Sequence, residues 1–179
     1  MIVKGGESPP FFFNVMWYTG VGFSIMWYTG SGNTLTFEDI IEKLKIHSQK
    51  GGTVFVGTDS SVHRKKCIFS TAICLHGAEG QSGGRYFIKK SLVKAKEFPT
   101  LIQRITSEVQ NSVDIGMKIM YHCPRVKIEL HLDVSDSKKN EGTSKFSDML
   151  IGYAKGSGFE CKVKPDAFAA STIADKHSK

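Results

Sequence analysis

Carboxylates that follow short apolar runs are the residues of this sequence best suited to chemistry. In Thr53-Val54-Phe55-Val56-Gly57-Thr58-Asp59-Ser60-Ser61, β-formers run into a glycine and then into a carboxylate flanked by hydroxyls. Lys127-Ile128-Glu129-Leu130-His131-Leu132-Asp133-Val134 does the same, with Asp133 near its end. Glu108 lies in a long helical stretch, and Asp166 follows Lys164-Pro165. An ionised carboxylate at the rim of a buried strand is costly unless it is paired or bound to a cation. Carboxylates that converge repel one another, and a hard divalent cation, Mg²⁺ (or Mn²⁺), relieves this with oxygen ligands and retained waters. A pair of such ions activates water and stabilises the leaving oxygen in phosphodiester cleavage, so no Ser or His nucleophile is required. The plainer role for Asp59 is a turn aspartate bonded to its own backbone.

The elements that position these groups can be read from periodicity. Thr36 caps a first helix with Asp39 three residues on, Phe37, Ile40, Ile41 and Leu44 recur at helical spacing, and Gly51-Gly52 ends it. Strands are predicted at Thr53–Thr58, Cys67–His76 and Arg85–Val93, and their short links suit antiparallel hairpins. The longest helix runs from about Pro99 to Met120, with Glu108 flanking its apolar stripe and Arg104 as an ordinary surface partner one turn earlier. Alternation in the next strand, Lys127 to Val134, puts Glu129, His131 and Asp133 on one face. A helix over Ser144–Lys155, a strand over Phe159–Val163 and a terminal helix from Ala167 to about His177, capped by Asp166, complete the chain. This β-β-β-α-β-α-β-α order predicts an α/β fold with a mixed five-stranded sheet, three antiparallel strands plus two parallel, and helices on both faces. The first, fourth and fifth strands, if parallel and central, share one C-terminal edge. Asp59, Asp133 and Asp166 meet there, and Glu108 reaches in from the long helix.

A chain of 179 residues that is 40% hydrophobic and 23% charged reads as one globular domain. Its net charge of +7 suits a polyanionic partner. Arg64, Lys65 and Lys66 after the first strand, and Lys138 and Lys139 after the fourth, are placed to track phosphates, though a solvated basic face is the plain alternative. Cys67, Cys74, Cys123 and Cys161 form no C-x-x-C pair and lie in or beside apolar runs, which suits a reducing, cytoplasmic location. Met-Trp-Tyr-Thr-Gly occurs at residues 16–20 and again at 26–30. Gly, Asn and hydroxyl residues interrupt that uncharged stretch, which argues against a membrane span, and the lack of a basic n-region and of an Ala-x-Ala-like site argues against a signal peptide. Residues 1–34 are expected to form a poorly ordered extension, and residues 35–179 the domain.

With these stations in place, the sequence resembles the ribonuclease H-like fold, and more narrowly the bacterial YkuK-like family of predicted ribonuclease H-like proteins. The blocks that carry the likeness are Gly57-Thr58-Asp59-Ser60, Arg104-Ile105 with Glu108-Val109, and His131-Leu132-Asp133-Val134. Lys164-Pro165-Asp166-Ala167-Phe168-Ala169-Ala170, with Ala174-Asp175-Lys176 after it, completes them. The resemblance implies a Mg²⁺-dependent nuclease acting on RNA, an RNA–DNA hybrid or structured DNA, with Asp59, Glu108 and Asp133 as catalytic metal ligands. The fourth ligand is either Asp166 or Asp175. Nine residues apart, they fall on opposite faces of a continuous helix, about 13 Å apart along its axis. Asp166 is favoured because the helix begins at the active edge, and Asp175 replaces it if the helix starts later. Ser60 and His131 are candidates to support the ligands, His131 also to relay a proton, and an ordinary core histidine is the plain alternative. A catalytically inactive module that binds nucleic acid or protein is the competing reading. A nucleotide-binding relative of the actin-like ATPases is set aside, because the chain is too short for their paired domains. Oligomeric state is not legible in the sequence.

Overall fold

The computed structural model describes residues 26–135 and 144–179. These residues build a seven-stranded mixed sheet in the order β2-β1-β5-β4-β3-β6-β7. The strands are β1 (Trp27–Thr29), β2 (Thr34–Leu35), β3 (Thr53–His63), β4 (Lys66–His76), β5 (Arg85–Lys94), β6 (Lys127–Ser135) and β7 (Glu160–Lys164). The helices are α1 (Phe37–Gln49), α2 (Leu101–His122), α3 (Ser147–Gly156), a π-helical segment Ala169–Ala174 and the short α4 (Asp175–Ser178) that continues it. Strands β3, β4 and β5 form the expected antiparallel meander, and β6 and β7 add to β3 in parallel.

The strand count is seven rather than five. The two additional strands come from the stretch expected to lie outside the domain. β1 is the second copy of the repeated motif, pairs antiparallel with both β2 and β5, and sends Trp27 into the core at 2% exposure. Strands of two and three residues are too short to register as alternation, so their place was invisible until β5 was there to template them. Residues 1–25, including the first copy, lie outside the described residues.

The sheet has two covered faces. Val54 and Val56 of β3 and Leu130, Leu132 and Val134 of β6 pack with α1, α2 and α3 through Ile40, Leu44, Ile105, Val109, Leu150 and Ala154. The opposite face carries a smaller cluster in which Ala72, Cys74 and Ile88 meet Ala169 and Ala174 of the terminal helix. Both long helices begin with reciprocal caps: Thr36 with Asp39 on α1, and Thr100 with Gln103 on α2.

The terminal helix lies close on the sheet for a specific reason. A Cβ on Gly57 would stand 2.5 Å from the backbone nitrogen of Ala170, so only glycine at that point of β3 admits the helix backbone. Ala169 and Ala170, both fully buried, present minimal bulk from the other side. This contact sets which face of the helix meets β3 and directs its far end toward Asp59.

No helix among the described residues is long and apolar enough to cross a membrane. The four cysteines are free thiols, and Cys67, Cys74 and Cys123 are buried.

Candidate active site

Asp59 does not end its strand, because β3 runs on to His63 in a hairpin with β4. The parallel ladder between β3 and β6 ends at Thr58 and Leu132, one residue before Asp59 and Asp133. The two carboxylates therefore leave adjacent parallel strands side by side where that ladder stops. Their electrostatic coupling follows from this placement.

Glu108 arrives from α2. It sits among Ile105, Val109 and Ser112 on the buried stripe, and is itself only 6% exposed. Ser112 hydroxyl donates to Thr58 Oγ1 and to the Glu108 carbonyl, both at 3.0 Å, and so pins this turn of the helix to β3. Ser60 hydroxyl then donates to Glu108 Oε1 at 2.6 Å. Burial pushes the Glu108 carboxyl up to about 8, against the Ser60 hydrogen bond; the charges of Asp59 and Asp133 add to the rise and Arg104 opposes it.

Asp59 is 7% exposed and accepts a 2.6 Å hydrogen bond from the Ser178 hydroxyl. Burial pushes its carboxyl up to about 6; the Ser178 bond lowers it, and the charges of Asp133 and Asp175 raise it further. Of the two candidates for the fourth carboxylate, the one whose charge acts on Asp59 is Asp175. Asp166 stands exposed in the turn after β7, its backbone N–H bonded to the Val163 carbonyl, and caps nothing. Its charge acts on His131 rather than on Asp59. The helical character starts after Asp166 and opens with a π-helical stretch, so the expected cap gives way to a later start.

Asp133 pairs with Lys164 at the end of β7, Nζ to Oδ1 at 3.0 Å. That contact is ionic only, because Oδ1 is buried and receives no directed hydrogen bond. Lys179 pairs with Asp175 at 2.7 Å. Sequence reasoning missed Lys164, Ser178 and Lys179. The signals were present: Lys164 opens the Lys-Pro-Asp block, and Ser178 and Lys179 follow Asp175 by three and four residues, one helical turn.

His131 does not face Asp133 as a relay. It is 1% exposed, accepts from the Ala169 N–H at Nδ1 (3.0 Å) and lies 3.0 Å from Glu129 Oε1 through Nε2. An imidazole that accepts at Nδ1 carries its proton on Nε2, so it donates to Glu129. Burial lowers its pKa, which keeps the ring neutral, and Phe55 and Phe168 pack around it. Its work is to clamp the start of the terminal helix onto β6. Arg64, Lys65 and Lys66 form the exposed tip of the β3–β4 hairpin, where Arg64 takes a left-handed φ of 55°. Lys138 and Lys139 lie outside the described residues.

The donors gathered here are all hard oxygens, and one of them, Asp133 Oδ1, is buried without a hydrogen bond. That chemistry fits a hard divalent cation. Among the described residues, however, no three His, Cys, Asp or Glu side chains stand ready as a metal-holding group. The carboxylates are neighbours held by Lys and Ser partners, and a cation would draw them in by displacing those partners.

Comparison with known proteins agrees with the fold. A family model described as Ribonuclease H-like matches residues 36–179. The chain is similar to the uncharacterised protein YkuK of Bacillus subtilis (strain 168), 27% identical over 161 residues, spanning 81% of this chain and 92% of YkuK. No solved structure matches it. With the family model covering most of the chain and its carboxylates on the central parallel strands, the protein belongs to the ribonuclease H-like family, on its YkuK-like side.

Proposed function

We propose that the protein is a divalent-metal-dependent nuclease that hydrolyses phosphodiester bonds of RNA, an RNA–DNA hybrid or structured DNA. The observation that carries this reading is that Asp59 and Asp133 follow the last pair of the β3–β6 ladder on adjacent parallel strands, with the charge of Asp175 acting on Asp59 and those of Asp59 and Asp133 acting on Glu108. Bound Mg²⁺ or Mn²⁺ would supply Lewis-acid activation of water and charge stabilisation at the leaving oxygen. Asp59 and Asp133 would be the shared ligands, with Glu108 and Asp175 flanking them. Ser60 and Ser178 aim the Glu108 and Asp59 carboxylates. The exposed Arg64-Lys65-Lys66 tip extends the same end of β3 by about 15 Å and can meet phosphates there.

A second reading has its own observation. Lys164 and Lys179 already neutralise Asp133 and Asp175, as in a module that keeps the fold without the chemistry. Cleavage of end-labelled RNA, hybrid and DNA substrates in Mg²⁺ and Mn²⁺, by wild type, Asp59→Asn and Asp133→Asn, separates the two. Loss of cleavage to background in both variants, with nucleic-acid binding retained, supports the nuclease. Absence of a metal-dependent cleavage that these substitutions remove supports the module.

A further inference from the structure

A second feature of the same sheet face is not absorbed by the carboxylate cluster. A cavity of about 380 Å³ lies between β1, the turn after it, β5 and the terminal helix, and is lined by Tyr28, Thr29, Gly30, Ile88, Lys90 and His177. Cross-strand register ties it to Asp59. Asp59 pairs with Ser70 on β4, and Ser70 pairs with Lys90 on β5, so the three share one row and one face. Two strand spacings put Lys90 about 10 Å from Asp59.

Two polar groups that line the cavity, Lys90 and His177, stand ready for a ligand. Lys90 has no carboxylate partner among the described residues. His177 Nε2 is buried without a hydrogen-bond partner, and so is Ser70 Oγ, in the row between Asp59 and Lys90. Native proteins leave few buried polar atoms unsatisfied, and His177 Nε2, on a residue that lines the cavity, points to a ligand that completes it. The remaining wall is apolar and aromatic: Ile88 is 2% exposed, whereas Tyr28 opposite it on β1 is 38% exposed and offers its ring to the cavity. A cation, an imidazole nitrogen and an exposed aromatic ring are the parts that hold a phosphate and stack a base.

We infer that this cavity is a subsite for one nucleotide of a single-stranded nucleic-acid segment that runs across the sheet face to Asp59, with its phosphate at Lys90 and His177 and its base on Tyr28. The inference rests on the nuclease reading for the direction of the strand. It gives a role to the second copy of the repeated motif, since Tyr28, Thr29 and Gly30 belong to it and lie outside the residues that the family model matches.

The test is binding of short end-labelled single-stranded RNA and DNA of one sequence, by fluorescence anisotropy in EDTA across a range of salt. The proteins are wild type, Lys90→Gln, Tyr28→Ala, Tyr28→Phe and, as a matched charge change on α1 across the sheet, Lys43→Gln. Lys90→Gln should lower the slope of log affinity against log salt by about 0.7, the loss of one phosphate contact on a single strand, while Lys43→Gln leaves it unchanged. Tyr28→Ala should weaken binding at least about fivefold, and Tyr28→Phe should restore it. The subsite is overturned if wild type binds neither probe, if Lys90→Gln leaves the slope unchanged, or if Lys43→Gln lowers it equally. EDTA keeps this result separate from cleavage. A Lys90 effect without cleavage defeats the nuclease and keeps the subsite; cleavage without a Lys90 effect does the reverse.

Discussion

Ser178 hydroxyl donates to Asp59 Oδ2 at 2.6 Å, joining residues 119 apart in sequence and fixing the last helical turn to the middle of β3. The Ser61 hydroxyl binds the Ser178 carbonyl and doubles the tie. Ser178→Ala removes a hydrogen bond to a buried carboxyl, and stability should fall by about 1–3 kcal/mol, read by urea unfolding. The Asp59 carboxyl should also titrate at higher pH than in wild type, because that bond opposes the rise caused by burial. Carboxyl-carbon NMR titration reads this shift directly.

Gly57→Ala tests the close approach that aims the terminal helix. The new Cβ meets backbone at 2.5 Å rather than a flexible side chain, so the helix must lift. The expected cost is about 1–3 kcal/mol. Amide exchange should quicken selectively over residues 169–178. Uniform exchange with unchanged stability would show that the helix does not depend on this contact.

The cluster also predicts an unusual pH dependence. Asp59 and Glu108 hold their protons more tightly folded, at about 6 and about 8, than their ordinary values of 3.8 and 4.5. The folded state therefore binds more protons between those limits, and stability falls as pH rises from about 4 to 8. Urea midpoints in EDTA should decline across that window. Glu108→Gln keeps a neutral acceptor for Ser60, removes the upper part of the decline and should raise stability above wild type at pH 8 and beyond. A wild-type midpoint that climbs with pH instead would contradict these titrations.

Asp175 and Asp166 can be told apart by metal affinity. Asp175→Asn should weaken Mn²⁺ binding about tenfold or more, whereas Asp166→Asn should leave it unchanged. The opposite ranking would return the fourth carboxylate to the start of the helix.

The sequence carried the architecture well where elements are long and periodic. The alternation of Lys127–Val134 placed Asp133 and His131 on one face, the Thr36 cap appeared as read, and the three-strand meander matched to within a few residues except at β3. β3 ran five residues past its expected end because hairpin pairing with β4, a tertiary effect, extends it beyond the apolar run. The choice between Asp166 and Asp175 was posed as opposite faces of one continuous helix, whereas the helix begins after Asp166, and which of its faces meets the sheet is decided by the Gly57–Ala170 approach. No local pattern encodes that contact. His131 shares a face with Asp133, which left a relay open beside the favoured ordinary histidine, and the Ala169 N–H across the fold shows it to be a buried clamp. Lys164 was read as opening the Lys-Pro-Asp block after a strand ending at Val163, and its place in β7 and its pairing with Asp133, 31 residues earlier, needed the parallel β6–β7 ladder.

The most direct test of the central claim is calorimetric titration of Mg²⁺ and Mn²⁺ into wild type and Asp59→Asn at pH 8, where the raised carboxyls are closest to ionised. The account predicts saturable binding to wild type, with protons released as Glu108 ionises, and no binding to Asp59→Asn. Absence of binding to wild type at millimolar metal, or equal binding to the variant, would contradict a metal site built on Asp59.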